Sequence, residues 1–472
     1  MTLRLHNTLG GNVDDFTPLG DEVGVYSCGP TVYGPAHVGN FRSFVFADVL
    51  VRHLRWSGYR VRWVMNVTDV DDKIIHGAQH AGVSIQELAE RYLGTFLEDM
   101  AKLRIGPPDV LPRATEHIPQ MVELIETLIE RGHAYRTDDG SIFFRIASWP
   151  AYGRLARVDP SQLRVTERVE ADEYGKDDLR DFALWKAPKP NEPSWSTAIG
   201  EGRPGWHIEC SAMSMTYLGP SFDIHTGGVD LVFPHHEDEI AQSEAATGKP
   251  FVCTWLHCAH LRMGGQKMAR REGNIATPSE VFERGYSPRA LRYALLAAHY
   301  RTGLEFGDES LVAAAAAVER LSTLVATLDE YREERPDDPS LPGIVEEARA
   351  GFREALDDDL NTPRALAALF DYVREVNRRI AARSLSTSDA GRAALVIRDL
   401  DRVLAVVEDE EAELPADLAG LLEARTAARA ARDWATSDRL RDELLASGVV
   451  VEDTPDGQRW RRAVAEVGSG RG

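Results

Sequence analysis

Only four cysteines occur in 472 residues. That is no disulfide framework, and reduced thiols or metal ligands in a cytosolic protein are the expectation. No run of about 18 consecutive apolar residues exists, so no transmembrane helix is expected. The opening MTLRLHNTLGG has no apolar h-region and does not read as a signal peptide. Basic residues are also scarce: 54 Lys and Arg stand against 75 Asp and Glu, a formal net charge of -21. Such a balance argues against a general nucleic-acid binder, but not against a large structured RNA met through local basic patches. Internal repeats and long low-complexity tracts are missing too. Hydrophobic content of 43% and charged content of 27% are ordinary for a folded protein.

The length suggests about two to four domains. EVGVYSCGP (22–30) reads as a short buried strand ending in Gly-Pro. Phe46, Val49, Leu50 and Leu54 then recur at helical spacing, Gly58 suits the helix end, and YRVRWVMNV (59–67) is a second strand. This βαβ unit predicts a parallel sheet. Ile118 to Ile129 marks another helix, and Asp138-Asp139-Gly140 signals a hairpin. Antiparallel structure at that point predicts an insertion at roughly 115–190. KAPKPNEPSWSTAIGEGRPG is expected to be its exit loop. FDIHTGG (222–228) and FVCTWLHCAHLRM (251–263) read as strands, with a helix opening at Pro234 between them. Helical periodicity runs from 275 to about 408. A helix over about 418–446, the strand VVVEDT, the turn TPDG and QRWRR close the chain.

Several stretches carry chemistry. PAHVGN (35–40) lies between a strand and a helix N-terminus, where free N–H groups attract phosphates. His37 and Asn40 offer donors there; the alternative is an ordinary βα turn with a capping Asn. GGQKMARREGN (264–274) puts Lys267, Arg270 and Arg271 in a glycine-flanked loop, either a solvated charge run or cations that meet a leaving pyrophosphate. In PHHEDEIA, His235 and Glu239 are four apart on one helical face. The residue after His236-Glu237 that an HExxH motif needs as His is Ile240, which excludes the metalloprotease frame. With Cys28 and Cys210 these two residues make a donor set suited to zinc, if they converge; otherwise the cysteines are small buried hydrophobes. Cys253 and Cys258 read as core residues. Asp69, Asp71 and Asp72 in NVTDVDDKII read as helix caps and partners of Lys73 rather than Mg²⁺ ligands. Arg459, Trp460, Arg461 and Arg462 set a ring among cations, suited to an unstacked RNA base or to a core Trp with surface charges.

Taken together, YSCGPTVYGPAHVGN, NVTDVDDKI, GWHIECSAM, FDIHTGGVDLVFPHHEDEIAQSE, DDLNTPRALAALF and the tail DRLRDELLASGVVVEDTPDGQRWRR resemble, in order, segments of the class I aminoacyl-tRNA synthetases specific for cysteine. The resemblance implies an α/β fold. A Rossmann-like (HUP-type) parallel-sheet catalytic domain (1–115 and 191–275) carries a connective insertion (116–190). A stem-contact region (276–315), a DALR-like α-helical bundle (316–410) and a small C-terminal α+β anticodon-binding unit (411–472) follow. It implies Zn²⁺, one per chain, on Cys28, Cys210, His235 and Glu239, holding the substrate thiolate and selecting against serine. Thr31, Thr68, Trp206 and His225 would line the cysteine pocket. His37, Gly39 and Asn40 match the ATP signature, and Gly227, Gly228 and Asp230 the ribose turn. Lys267, Met268 and Ala269 match the KMSKS-type loop, where Arg270 and Arg271 depart from the usual lysine and serine; an arginine keeps the charge with different geometry. The implied partners are tRNA(Cys), L-cysteine and ATP with Mg²⁺, for a cytoplasmic monomer. The alternatives are a cysteine:amino-sugar ligase of the same fold and a non-catalytic tRNA-binding paralogue with an altered loop.

Overall fold

The computed structural model describes residues 2–158, 180–269, 273–407, 416–447, 449–454 and 457–462. Its central sheet has four parallel strands in the order Val252–Cys258, Phe222–Gly228, Glu22–Ser27, Arg60–Met65. The helix Val38–Trp56 connects the last two in sequence, as the βαβ pattern predicts. Its apolar residues Val38, Phe41, Val45, Val49 and Leu54 are buried on the main core. Gly58, at φ 95, turns the chain out of the helix in a conformation that L side chains rarely adopt. Parallel strands point the same way, so the chain leaves three of them at one edge of the sheet, near residues 28, 228 and 258.

An antiparallel sheet of five strands follows the helix Ile118–Glu130. The expected hairpin joins Ala134–Arg136 to Ile142–Phe144. The supposed exit loop instead contains the strands Trp195–Thr197 and Gly200–Pro204, paired with each other and with Phe182–Lys186. Gly200 takes the turn at φ 101, and Pro204 needs no donor at a strand end. Proline and glycine content concealed a hairpin. The strand expected over 251–263 breaks into Val252–Cys258 and Leu261–Met263, because Ala259 donates its N–H to the Tyr300 carbonyl instead of continuing the ladder. Cys253 is not a core residue: it is exposed, near the start of an edge strand.

The helices Asp308–Glu330, Leu341–Asp357, Thr362–Ala381 and Thr387–Leu404 form the helical bundle. Asp308–Glu330 is long and apolar enough, by length and composition, to cross a membrane. Its Leu311, Val318, Leu321, Leu324 and Leu328 are instead buried in the main core. Arg292, fully buried, donates to Asp48 Oδ2 at 2.5 Å and to the carbonyls of Leu103 and Leu404, and so ties the bundle to the helix Val38–Trp56. The single helix expected over 418–446 is two, Ala416–Ala430 and Trp434–Ala446. Arg432 at φ 59 breaks the run, and Asp433 caps the second helix by accepting from the Thr436 N–H. Their small core holds Leu444, Val449 and Val451 of the strand pair Val449–Thr454 and Gly457–Arg462.

Candidate functional site

The strand Glu22–Ser27 ends against Cys28, and the helix Trp206–Leu218 carries Cys210 in its first turns. A wide turn at Val232–His236 carries His235 and leads into the helix Glu237–Thr247, which carries Glu239. Donor atoms of Cys28, Cys210, His235 and Glu239 all lie within 4.8 Å of one another. The two sulfurs are 4.0 Å apart, Glu239 Oε1 is 3.9 Å from Cys28 Sγ, and His235 Nε2 is 3.0 Å from the same Oε1. A second set, Cys28, His225, His236 and Glu239, meets the same distance limit and shares two members with the first.

The helix under this cluster is buried along Glu237–Ala246, charges included. Its acids survive burial because each has donors. Glu237 accepts from the N–H groups of Gly153, Leu155 and Ala156 at 2.8–2.9 Å, and Asp238 accepts from the Tyr152 hydroxyl. Glu239 accepts from His225 Nε2 at 3.0 Å through its other oxygen. The electrostatics follow. Burial opposes charge on Glu239, yet His225 and His235 outweigh it and hold the carboxyl down at about 2. Burial likewise opposes charge on His235, while Glu239 and Cys210 raise it to about 10. Cys210 falls to about 6, chiefly through the hydrogen bond from Cys28, whose own thiol burial pushes up. Without an ion the cluster is a proton-sharing network; with a divalent cation the same atoms are ligands.

Trp206 stacks on His235 with ring centroids 4.3 Å apart and is 37% exposed, so it forms an open wall of the site. His225 is fully buried and stacks on Trp255 at 4.7 Å, placing it under the cluster rather than on its open side. Thr68 pairs by a backbone bridge with Thr31 and donates to Glu209 Oε2 at 3.0 Å. Three more residues join the cluster that the sequence reading did not single out for it: His236, Tyr26 and His257. His236 Nε2 lies 3.3 Å from Cys28 Sγ, and its Nδ1 meets His257 Nε2 at 2.7 Å. Alternation along the strand Val252–Cys258 puts His257 on the face of Trp255, a signal that was present but indistinguishable from core packing.

Beyond the strand Glu22–Ser27, His37 caps the helix Val38–Trp56. Its Nδ1 accepts from the Asn40 N–H at 3.2 Å, while Asn40 Oδ1 accepts from the His37 N–H at 3.1 Å. Glycine is needed at 227, where a Cβ would lie 2.6 Å from Cε1 of buried His236; at 228 a Cβ would meet only Oδ1 of the half-exposed Asp230, which can move aside. Lys267 Nζ is 3.1 Å from Asp230 Oδ2, so the basic loop reaches the glycine turn. Buried Met268 anchors that loop, with its sulfur against Gly39. Asn274 pinches the loop shut by bonding Ala269 N–H and the Lys267 carbonyl. Arg270 and Arg271 lie outside the described residues.

The aspartates of NVTDVDD are structural, with one change of partner. Asp69 accepts from Thr115, and Asp71 caps the helix Asp72–Ala81 through the Lys73 N–H. Asp72 pairs with Lys186 and Arg203 at 2.8 and 2.5 Å, not with Lys73. Those cations come from the antiparallel sheet, beyond the reach of local sequence reading. In the C-terminal unit Trp460 is half-buried against the small core; the side chains of Arg459, Arg461 and Arg462 lie outside the described residues.

Comparisons with known proteins cover nearly the whole chain. A family model for the class I (C) tRNA synthetase catalytic domain matches residues 16–316. The DALR domain matches 351–408, and the cysteinyl-tRNA ligase anticodon binding domain matches 411–461. The cysteine–tRNA ligase of Pseudomonas aeruginosa is 46% identical, covering 98% of this chain and 100% of its own length. That of Halorhodospira halophila is 46% identical over 98% and 99%, and that of Chlamydia muridarum 43% over 98% and 100%. Among solved structures, the LeuRS–tRNA–LeuAMS ternary complex of Agrobacterium radiobacter has a TM-score of 0.61 at 13% identity, covering 83% of this chain and 85% of its own. The methionyl-tRNA synthetase of Mycobacterium tuberculosis, in complex with methionyl-adenylate, has a TM-score of 0.56 at 17% identity over 82% and 90%. These last two likenesses are of fold.

Proposed function

The chain belongs to the cysteine–tRNA ligases of the class I synthetase family, and from that premise we propose how its residues divide the work. It is an ATP-dependent aminoacyl-tRNA ligase that joins cysteine to tRNA. The cysteine carboxylate attacks the α-phosphorus of Mg²⁺·ATP, the bond to the leaving pyrophosphate breaks, and the terminal ribose hydroxyl of tRNA then takes the acyl group from the adenylate. The observation that carries the residue assignments is the convergence of Cys28, Cys210, His235 and Glu239.

That cradle suits zinc. Two Zn–S bonds of about 2.3 Å at a tetrahedral angle set their sulfurs about 3.8 Å apart. The 4.0 Å between Cys28 and Cys210 agrees. Two thiolates, one imidazole and one carboxylate also match the borderline softness of the ion. Cys28, Cys210, His235 and Glu239 would hold one zinc per chain, which would supply a soft Lewis-acid site for the substrate thiolate and so favour cysteine over serine, whose hydroxyl is the harder and poorer ligand. Trp206 walls the pocket, and Thr31 and Thr68 form its floor, with His225 holding Glu239 from beneath. His37, Gly39 and Asn40 receive the triphosphate at the helix N-terminus, where free N–H groups favour anions. Gly227, Gly228 and Asp230 admit the ribose. Lys267 and Arg270 meet the charge that develops on pyrophosphate.

The work divides along the chain: catalysis in 1–115 and 191–275, the connective insertion in 116–190 with its antiparallel sheet completed by the strands up to Pro204, stem contact in 276–315, the bundle in 316–410 and anticodon binding in 411–472, in a monomer. The family match over 411–461 favours tRNA as acceptor over an amino sugar. Cysteine-dependent ATP–pyrophosphate exchange on zinc-loaded protein, with serine as control, tests activation. No exchange with cysteine would refute the assignments and favour a non-catalytic paralogue. Removing residues 411–472 should abolish tRNA charging and spare exchange; charging that persists would refute the role of that unit.

A further inference from the structure

Arg42 lies early in the helix Val38–Trp56, close behind the His37–Asn40 cap, and is 2% exposed. Its hydrogen bonds go to backbone carbonyls rather than to a carboxylate. Nη1 donates to Ala259 and His260 at 3.0 and 2.8 Å, and Nη2 to His299 and Thr302 at 3.2 and 2.5 Å. Burying a cation is costly, and here four carbonyl dipoles offset that cost. The planar fork of arginine can meet so many acceptors at once, and an ammonium cannot.

The four acceptors belong to two segments that meet at one hairpin. Ala259 and His260 form the break before the strand Leu261–Met263, which pairs antiparallel with Gln266–Lys267. His299 and Thr302 precede the strand Leu304–Glu305, which pairs with Leu261–Met263 on its other side. Arg262 stands opposite both Lys267 and Glu305. Arg42 therefore holds the foot of the hairpin that carries Lys267. The same helix holds the far end of the basic loop, where the Val38 N–H donates to the Ala276 carbonyl at 2.8 Å. The loop thus hangs between two anchors on the helix whose N-terminus is assigned to the triphosphate. Resting on the assignment of Lys267 to the leaving pyrophosphate, we propose that Arg42 is a positioning residue for cysteine activation. It fixes the foot of the hairpin to the triphosphate helix, so that Lys267 reaches the departing charge. Buried as it is, Arg42 touches no reacting atom itself.

The test is Arg42→Lys in the full, zinc-loaded chain, which keeps the charge but not the fork. A displacement of about 1 Å in a catalytic group can cost about 10²-fold in rate. Cysteine-dependent pyrophosphate exchange at saturating ATP should fall about 10- to 100-fold, with KM for ATP little changed. Zinc affinity, read by chelator competition, should be unchanged, because Arg42 bonds none of the four ligands. In a Lys267→Ala background, Arg42→Lys should add less than about twofold, since both act through one contact. Pyrophosphate exchange lost together with zinc affinity, or a full further loss in the Lys267→Ala background, assigns Arg42 to the fold alone and overturns the proposal. Arg42→Lys at the wild-type rate, where Lys267→Ala is slow, overturns this inference alone. Lys267→Ala at the wild-type rate overturns the loop assignment and this inference with it. Should Arg42→Lys not fold, deuterium uptake by the wild-type chain decides. The Ala259, Leu304 and Phe306 amides at the foot should be protected with and without ATP, and the Gly264 to Lys267 amides should gain protection only with it. A foot that exchanges as fast as the loop, or a loop that ATP does not protect, overturns the proposal.

Discussion

Two donor sets overlap at the centre of the site, and substitution can tell which one holds the ion. Cys210 and His235 belong only to the first, His225 and His236 only to the second. Four-ligand zinc sites have apparent binding free energies of about 10–16 kcal/mol near neutral pH, so one ligand is worth roughly 3 kcal/mol. At about 1.4 kcal/mol per tenfold, Cys210→Ser should weaken zinc by roughly two powers of ten. His236→Asn removes a group that only faces Cys28 at 3.3 Å. Its effect should stay within about tenfold, as for other groups around a metal centre. Competition against a chelator of known affinity measures both, and cobalt(II) spectra report the loss of one sulfur in the first variant alone. Because burial holds the Cys28 thiol above its usual range, binding must release its proton, and affinity should climb with pH. The reversed order, with Cys210→Ser nearly silent and His236→Asn losing a hundredfold, would place the ion in the second set and refute the assignment.

Lys267→Ala should leave the melting temperature unchanged, because its pair with Asp230 is half-exposed and such pairs contribute about 0–1 kcal/mol. It should lower the rate of cysteine-dependent pyrophosphate exchange by about 10²–10³, and an unchanged rate would remove Lys267 from the chemistry. Asp48→Asn breaks the buried pair with Arg292 and should destabilise the fold by about 3–5 kcal/mol in urea unfolding; an unchanged midpoint would show that the pair does not tie helix to bundle. Burial raises Asp99 to about 6, against the pull of Lys102. Its folded value therefore exceeds its unfolded one: the carboxyl does not weaken the fold below about pH 4, does so increasingly as pH rises to about 6, and does so fully above. Asp99→Asn should thus stabilise by up to about 3 kcal/mol at pH 8 and not at pH 4, as read from denaturant midpoints, and equal gains at both would contradict the shift.

Some of this was legible from residue spacing and some was not. The βαβ start was, because apolar period and the Gly58 turn act within thirty residues of each other. Cys28 and Cys210 were candidates by residue type, but their convergence depends on the helix Trp206–Leu218 packing against the strand Glu22–Ser27, and only the order of family-like segments supplied that link. Two misreadings had the same origin. The stretch 186–205 looked like a loop because Pro and Gly mark turns wherever they fall, including strand ends. Cys253 looked buried because alternation puts it on the face of Trp255 and His257, which are buried, and cannot say that the start of the strand runs out beyond the packing.

The helix Glu237–Thr247 shows why the rest was hidden. Its first turn, Glu237-Asp238-Glu239, reads locally as a solvated acidic N-terminus, stabilised by the helix dipole. All three are buried. What makes that tolerable comes from far away: the N–H groups of Gly153, Leu155 and Ala156 for Glu237, the Tyr152 hydroxyl for Asp238, and two imidazoles for Glu239. The turn 152–156 thus has a role that no local pattern announces. It satisfies the acids that lie between His235 and Glu239 and keeps that helix register fixed. A substitution such as Gly153→Ala places a Cβ 2.2 Å from the Val158 carbonyl oxygen in a backbone that already needs φ 92. It should displace that turn, leave Glu237 short of donors and loosen the metal cradle more than 80 residues away in sequence. Weaker zinc binding, at a melting temperature lowered only modestly, is the expected sign; unchanged zinc affinity would show that the helix holds its register without the turn.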